Sequence, residues 1–205
     1  MGFLERIRPV LNRPEFYELF HRILGADRRS KILINEYMKP KEGDRILDVG
    51  CGPGNFIPYL PECRYLGVDA NSAYIDTARG RYGTHGKRFI CDTVSYQSVR
   101  DLGEFDLVLA IGLLHHLEDA EARDLFRMGH NALRSGGRMI TVDGCYVPGQ
   151  SPVARYLLSK DRGQFVRTEE AYLNLASRCF EEIRPSLRDD LLRIPHTTLI
   201  LECVR

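Results

Sequence analysis

Ile46-Leu47-Asp48-Val49-Gly50-Cys51-Gly52-Pro53-Gly54-Asn55 decides how this chain is read. A short apolar run with the character of a buried strand carries an acid and passes into a turn with glycine at every second position. Glycine is needed where a backbone must turn tightly and let a ligand approach without a Cβ in the way. A strand of this kind opens an α/β sheet, and such sheets bind ligands outside the carboxyl ends of their strands. The dinucleotide fingerprint G-x-G-x-x-G is not met, because Asn55 stands where the third glycine belongs. Asp48 also puts a negative charge where a pyrophosphate would lie, so a ligand bearing a positive group suits it better. Asp69 ends the next apolar run, about twenty residues on, at the reach of a carboxylate that accepts both ribose hydroxyls.

Working outward, short apolar runs alternate with helical patterns, the signature of βα units around a mostly parallel sheet. The expected strands are Arg45–Val49, Arg64–Val68, Arg88–Cys91, Asp106–Ala110 and Arg138–Val142. Asn71 is placed to cap a helix carrying Ala73, Tyr74, Ile75 and Ala78. A longer helix from about Glu118 to Arg134 shows Ala122, Leu125, Phe126, Gly129 and Leu133 at helical spacing, and stops at Ser135-Gly136-Gly137, where glycine takes the left-handed cap. Thr168-Glu169-Glu170 opens another, running to about Arg178. Phe180–Leu187 and His196–Val204 read as closing strands, joined too closely for a crossover and therefore antiparallel. The expectation is five parallel strands plus one antiparallel partner, with helices on both faces.

Two regions fall outside this alternation. Residues 1–44 read as an N-terminal helical cap: one helix spans Pro14–Leu24 with Phe16, Tyr17 and Phe20, and a second, capped by Asp27, carries Leu33, Ile34 and Tyr37 and ends before Pro40. Residues 144–167, with Pro148, Gly149, Pro152 and Gly163, read as a surface insertion in the domain at 45–205, placed to act as a lid.

Composition excludes several classes. The 29 Lys and Arg nearly cancel the 28 Asp and Glu, which argues against a broad nucleic-acid footprint. The longest uncharged apolar run, Leu107–Leu114, is far below the ~20 residues a bilayer needs, and Met1–Arg6 is no signal peptide. The six cysteines are scattered with no C-x-x-C, which reads as buried thiols of a reduced, cytoplasmic protein with no structural metal.

Taken together, these pieces resemble the class I S-adenosylmethionine-dependent methyltransferases of the small-molecule type. Asp48 to Asn55 is similar to their first motif, and Gly67-Val68-Asp69 to their ribose-binding second. Cys91-Asp92-Thr93 resembles the adenine-contacting position. Phe105 to Ala110, followed by Leu114-His115-His116-Leu117-Glu118-Asp119, resembles the fourth strand and its loop. Leu133-Arg134-Ser135-Gly136-Gly137 resembles L-x-P-G-G before the fifth strand, with Ser135 replacing proline. The resemblance covers about residues 40–143 and implies a Rossmann-like, doubly wound fold with S-adenosylmethionine as cofactor.

Residue by residue, it implies that Gly50, Cys51 and Gly52 lie against the methionine portion and ribose, with Asn55 closing the motif. Asp48 faces the methionine ammonium, usually through water, and the carbonyl of Ala110 or Ile111 also takes that ammonium. Asp69 holds the ribose hydroxyls, Ala70 lies against the adenine, Asp92 accepts from its amino group and the Thr93 N–H meets a ring nitrogen. The plainer reading is that Asp48 and Asp69 only satisfy turn amides.

Methyl transfer from a sulfonium is an in-line displacement, so the protein aligns the partners, excludes water and removes a proton from the acceptor. His115 and His116 are the titratable pair near the expected cleft, and the resemblance makes His116 the more characteristic base. The other reading is a histidine that packs the loop. Asp143 either orients a substrate or caps a turn. In the cap, Tyr17 or Arg29 reaches the cofactor carboxylate, or the aromatic stripe is plain packing. In the insertion, Arg155, Lys160, Arg162 and Arg167 stand against the single acid Asp161. Arg162 and Arg167 are the expected grip on a substrate phosphate or carboxylate, unless the loop is simply solvated.

Ala110-Ile111-Gly112-Leu113 is not the N/D-P-P-Y/F of amino-methylating nucleic-acid and glutamine enzymes, no Pro-Cys pair exists, and Ala110 supplies no metal ligand. The expected activity is metal-independent transfer to oxygen or nitrogen of a small, anionic metabolite, with no nucleic-acid or membrane partner. An RNA or protein methyltransferase, and a cofactor-binding protein without chemistry, are the rivals. An NAD(P)-dependent oxidoreductase comes third.

Overall fold

Strand β1 (Arg45–Val49) lies at the centre of the sheet, paired in parallel with β2 (Arg64–Asp69) on one side and β4 (Phe105–Ile111) on the other. In this computed structural model the described residues are 26–83, 86–92, 103–160 and 163–205. Strand β3 (Lys87–Cys91) extends the sheet beyond β2, and β5 (Leu133–Tyr146) extends it beyond β4. The antiparallel closing pair is β8 (Thr198–Val204) beside β5 and β7 (Glu182–Arg188) beyond it, giving the order β3-β2-β1-β4-β5-β8-β7. A two-residue strand, β6 (Arg167–Thr168), runs parallel to the end of β5. The chain therefore builds the outer strand β7 before filling the gap with β8. In consequence β1 to β5 and β7 share one direction, and β8 alone opposes them on the main path.

Period-two alternation sends each strand's side chains into two cores. Leu47, Val49, Val108 and Ala110 join Ala122, Leu125 and Phe126 of helix α3 (Asp119–Ala132) and Tyr172 and Leu175 of α5 (Glu169–Ala176) on one face. Ile46, Leu107 and Leu109 meet Ile75 and Ala78 of α2 (Ser72–Tyr82), with Leu33, Ile34 and Met38, on the other. Both faces are thus covered by helices, the Rossmann-like, doubly wound arrangement.

Several local readings need correction. Helix α3 ends at Ala132 rather than Arg134, and its cap residue Leu133 is already extended and paired with Phe105. Gly136 is left-handed at φ 74°, yet it serves an irregularity between β4 and β5, where Leu133 pairs with Phe105 and Arg138 with Leu107. Asp27 lies inside α1 (Ala26–Ile32) rather than capping it, and accepts a 2.8 Å bond from the Tyr59 hydroxyl. That helix widens into a π-helical turn at Leu33–Met38. The turn's last carbonyls, Tyr37 and Met38, accept from the Arg138 guanidinium at 3.0 and 2.6 Å.

Within residues 144–167, β5 runs on to Tyr146, and α4 (Pro152–Ser159) buries Ala154 and Leu158 while exposing Val153 and Tyr156. Cys91 is exposed and Cys179 half-buried, so burial holds for the other four cysteines only. No helix among the described residues is long and apolar enough to cross a membrane. The expected helix at Pro14–Leu24, with Phe16, Tyr17 and Phe20, lies outside the described residues.

Candidate functional site

The glycine-rich turn is strapped to the end of β2. Gly50 and Gly52 take left-handed φ values of 72° and 54°, which L side chains adopt only at a cost. The Gly50 and Cys51 amides donate to the Val68 carbonyl at 2.8 and 3.2 Å. Asp69 then ties the turn to α2: Oδ2 accepts from the Gly52 amide at 2.9 Å and Oδ1 from the Asn71 amide at 2.8 Å. Asn71 caps α2, as its position implied, by accepting from the Ala73 amide at 3.0 Å. Asp69 therefore does satisfy turn amides, but each oxygen keeps acceptor capacity and the residue is only half-buried. A Cβ at Gly52 would meet nothing within 4 Å among the described residues, which leave the turn open on that side. An adenosyl cofactor fits here: amides and a carboxylate line an open, side-chain-free turn.

Around this turn the fold gathers most of the expected cofactor residues. Ala70 and Asp92 are exposed beside Asp69, whose carbonyl accepts from the Asp92 amide at 3.1 Å. Cys51 is buried and Asn55 lies exposed at the far end of the turn. Asp48 is 3% exposed and accepts from the Tyr65 hydroxyl at 2.6 Å. Burial pushes its carboxyl up to about 7 from 3.8, the Tyr65 bond opposes that rise, and the nearby Asp69 charge adds to it. Tyr17 and Thr93 lie outside the described residues.

The second half of the site lies at the ends of β4 and β5. Ala110 is buried and Ile111 half-buried, and the Gly112 amide donates to the Val142 carbonyl at 2.7 Å. A Cβ at Gly50 would come within 3.2 Å of Leu113 Cδ1, so the loop after β4 packs directly on the glycine turn. A 3₁₀ turn, Leu114–His116, follows. His115 is buried, and its Nδ1 lies 2.7 Å from Asp143 Oδ1, which also accepts from the His115 amide at 3.2 Å. Asp143 is 4% exposed, and its Oδ2 has no hydrogen-bond partner among the described residues. His116, the base favoured by sequence, is exposed, with its ring 4.2 Å from that of His115. Asp143 thus pairs with His115.

Arg167 does not fit the substrate-gripping role expected of it. It is 9% exposed, and its five N–H donors are matched within the protein. Nε and Nη2 reach Asp119 Oδ1 at 2.9 and 2.8 Å, Nη1 reaches the Leu114 and Phe165 carbonyls at 2.9 and 3.0 Å, and Nη2 also reaches the Leu117 carbonyl at 2.6 Å. The side chain is a clamp on the loop that carries the histidines. Arg162, its expected partner, lies outside the described residues. Of the other basic residues here, Arg155 stacks over Tyr146 at 5.3 Å and Lys160 over Tyr156 at 5.7 Å. No cluster of three or more metal-ligating side chains occurs among the described residues.

Two contributors were missed by sequence reasoning. Tyr65 carried a usable signal, since a tyrosine facing inward from a buried strand needs a partner for its hydroxyl. Gly163 carried none: a Cβ there would come within 2.0 Å of His115 Cδ2, so only glycine lets the chain close over that ring.

Residues 46–137 match the family model described as "Methyltransferase domain". The ubiquinone biosynthesis O-methyltransferase of Chelativorans sp. (strain BNC1) is 30% identical over 153 residues, 68% of this chain and 59% of that protein. The probable tRNA methyltransferase 9B of Mus musculus is 31% identical over 83 residues, 40% of this chain and 17% of that one. The chain thus spans less than two thirds of the curated relatives named. Among solved structures, a Haemonchus contortus phosphoethanolamine N-methyltransferase 2, in complex with phosphomonomethylethanolamine and S-adenosylhomocysteine, superposes with TM-score 0.70 at 16% identity, covering 100% of this chain and 60% of that one. With the glycine turn, the two strand-end acids and the doubly wound sheet, these matches show a methyltransferase domain at residues 46–137 on a fold shared with S-adenosylmethionine-dependent methyltransferases.

Proposed function

We propose that this protein transfers the methyl group of S-adenosylmethionine to an oxygen or nitrogen of a small, anionic metabolite, with His115 taking the acceptor's proton. The observation that carries the reading is the buried His115–Asp143 pair, with His115 two residues beyond Leu113, which packs on the glycine turn. An ionised carboxylate only accepts, so Asp143 fixes the Nδ1–H tautomer and leaves Nε2 as the basic nitrogen. Bound S-adenosylmethionine supplies a methyl carbon already activated by its sulfonium. An acceptor lone pair forms the new bond to that carbon as the carbon–sulfur bond breaks, and the acceptor proton passes to Nε2.

On this reading Asp69 accepts from the ribose hydroxyls, Asp92 and Ala70 flank the adenine, and Asp48 with the Ala110 or Ile111 carbonyl receives the ammonium. A small-molecule acceptor is favoured by the extent of the matches: 153 residues against the O-methyltransferase, 83 against the tRNA methyltransferase. The anionic character is supported by the phosphomonomethylethanolamine bound by the Haemonchus enzyme, not by Arg167. The formal charge of +1 also offers no broad footprint for RNA.

Calorimetric titration with S-adenosylmethionine and NAD(P), followed by a methyl-acceptance screen of phenols, phosphoamines and unmodified tRNA, tests this reading. Binding of the adenosyl ligand and turnover with a small acceptor is the expected result. Turnover confined to tRNA overturns the substrate class, and cofactor binding without transfer to any acceptor favours the non-catalytic rival. Full turnover in His115→Ala, with loss in His116→Ala, moves the base to the exposed ring.

A further inference from the structure

Among the described residues, Asp48 is the one expected cofactor residue whose side chain is held by another side chain rather than by the turn. Its ladder partner on β2 is Gly67. A Cβ at Gly67 would come within 2.7 Å of Cys51 Sγ and 3.0 Å of the Tyr65 ring, so the missing side chain is what lets those two groups close together beside Asp48. Tyr65 is 2% exposed, its ring tilted against Phe89 at 5.8 Å between centroids, and its hydroxyl donates to Asp48 Oδ2 at 2.6 Å. A phenol in that position can only donate to an ionised carboxylate, and a hydrogen bond to the charged form favours it. Among the described residues, Tyr65 and Asp69 of β2 and the Cys51 thiol are the titratable groups bearing on this carboxyl. The neighbouring β4 residues, Leu107 to Leu109, are apolar.

We propose that Tyr65 is a positioning residue for cofactor recognition: its phenol holds the buried Asp48 carboxylate as a fixed anion for the amino group of the bound cofactor. This rests on the cofactor reading above. The charge state of Asp48 then couples cofactor affinity to pH. With the carboxyl at about 7, a proton must leave before the ammonium can be received, and affinity falls about tenfold per unit of pH below that point. Removing the phenol takes away the group that opposes burial, so the fall begins at higher pH.

The test is calorimetric titration of the wild-type chain and Tyr65→Phe between pH 6 and 8.5 with two probes. S-Adenosylhomocysteine carries the amino group, and 5′-methylthioadenosine lacks it. The expected result is about tenfold weaker S-adenosylhomocysteine binding by Tyr65→Phe at pH 7, narrowing as pH rises, with 5′-methylthioadenosine affinity equal in the two proteins at every pH. Asp48→Asn, a second variant, binds S-adenosylhomocysteine weakly and without pH dependence. Superimposed wild-type and Tyr65→Phe profiles overturn the proposal, as does a parallel loss for 5′-methylthioadenosine, which marks Tyr65 as packing alone. Wild-type protein that binds neither probe overturns the cofactor reading itself, a different failure from either of these.

Discussion

One carboxylate oxygen of Asp143 fixes both the ring and the main chain of His115, at 2.7 Å from Nδ1 and 3.2 Å from the backbone nitrogen. The two residues are 28 apart in sequence and meet because β4 and β5 are parallel neighbours whose ends lie level. A histidine held twice over by one buried acid has its tautomer and orientation set before any substrate arrives, which is the arrangement a general base needs.

Asp143→Asn keeps the shape and removes the pure acceptor. Turnover should fall roughly 10- to 1000-fold, with S-adenosylhomocysteine affinity within about twofold of wild type. Steady-state kinetics and calorimetry on one preparation check this. Wild-type turnover in the variant would make the pair structural.

Gly163→Ala drives a methyl group into the His115 ring, with 2.0 Å to Cδ2 and 2.5 Å to the His115 carbonyl oxygen. Backbone on one side and a pinned ring on the other leave little room to give. The variant should lose about 1–3 kcal/mol of stability and most of its turnover while still binding cofactor. Thermal unfolding alongside calorimetry separates the two effects.

Arg167→Gln strips donors from the carbonyls of Leu114, Leu117 and Phe165. The bond to Asp119 matters less, since that acid's side chain is 65% exposed. A cost of about 2–4 kcal/mol is expected, seen as a midpoint lower by roughly 5–15 °C and faster amide exchange over residues 114–119. An unchanged midpoint with a raised acceptor KM would return Arg167 to the substrate.

Asp48 makes a prediction about the ligand-free protein. Its folded carboxyl stands at about 7 against 3.8 when free, so its contribution to stability is fully present below pH 3.8 and is lost as pH rises through 7. Asp48→Asn removes that loss. The variant should melt higher than wild type at pH 8, by roughly 5 °C, and match it near pH 4, while binding cofactor more weakly. Melting curves across pH without ligand test the sign directly.

What was legible in the sequence was what is local or marked by residue type. The Asn71 cap is set by neighbours two residues away, and the glycine turn and the strand-end acids are marked by residue type and spacing even though their bonds span the 17 residues from Gly52 to Asp69. The β5 extension was not legible, because Asp143-Gly144 reads as a turn and is held extended by pairing with Leu199 and Thr198. Helix α3 was read too long because Leu133 continues its apolar stripe, yet that side chain is buried from an extended backbone. Arg167 was misread for a related reason: a basic surplus in a loop looks the same whether a guanidinium faces solvent or a ring of carbonyls.

The strand order breaks between β1 and β4, and the break divides the molecule's chemistry. Apart from the Ala110 or Ile111 carbonyl, the proposed donor contacts lie within residues 48–92, while the histidine, its acid and their clamp come from 115–167. The two sets share a ladder of three residue pairs, Ile46 to Asp48 against Leu107 to Leu109, and the Leu113 contact on Gly50. Such a seam lets descent act on each side separately. Lineages can exchange the acceptor they serve by rewriting the later segment while the earlier one is inherited intact, which is the pattern expected of a scaffold reused for many methyl acceptors.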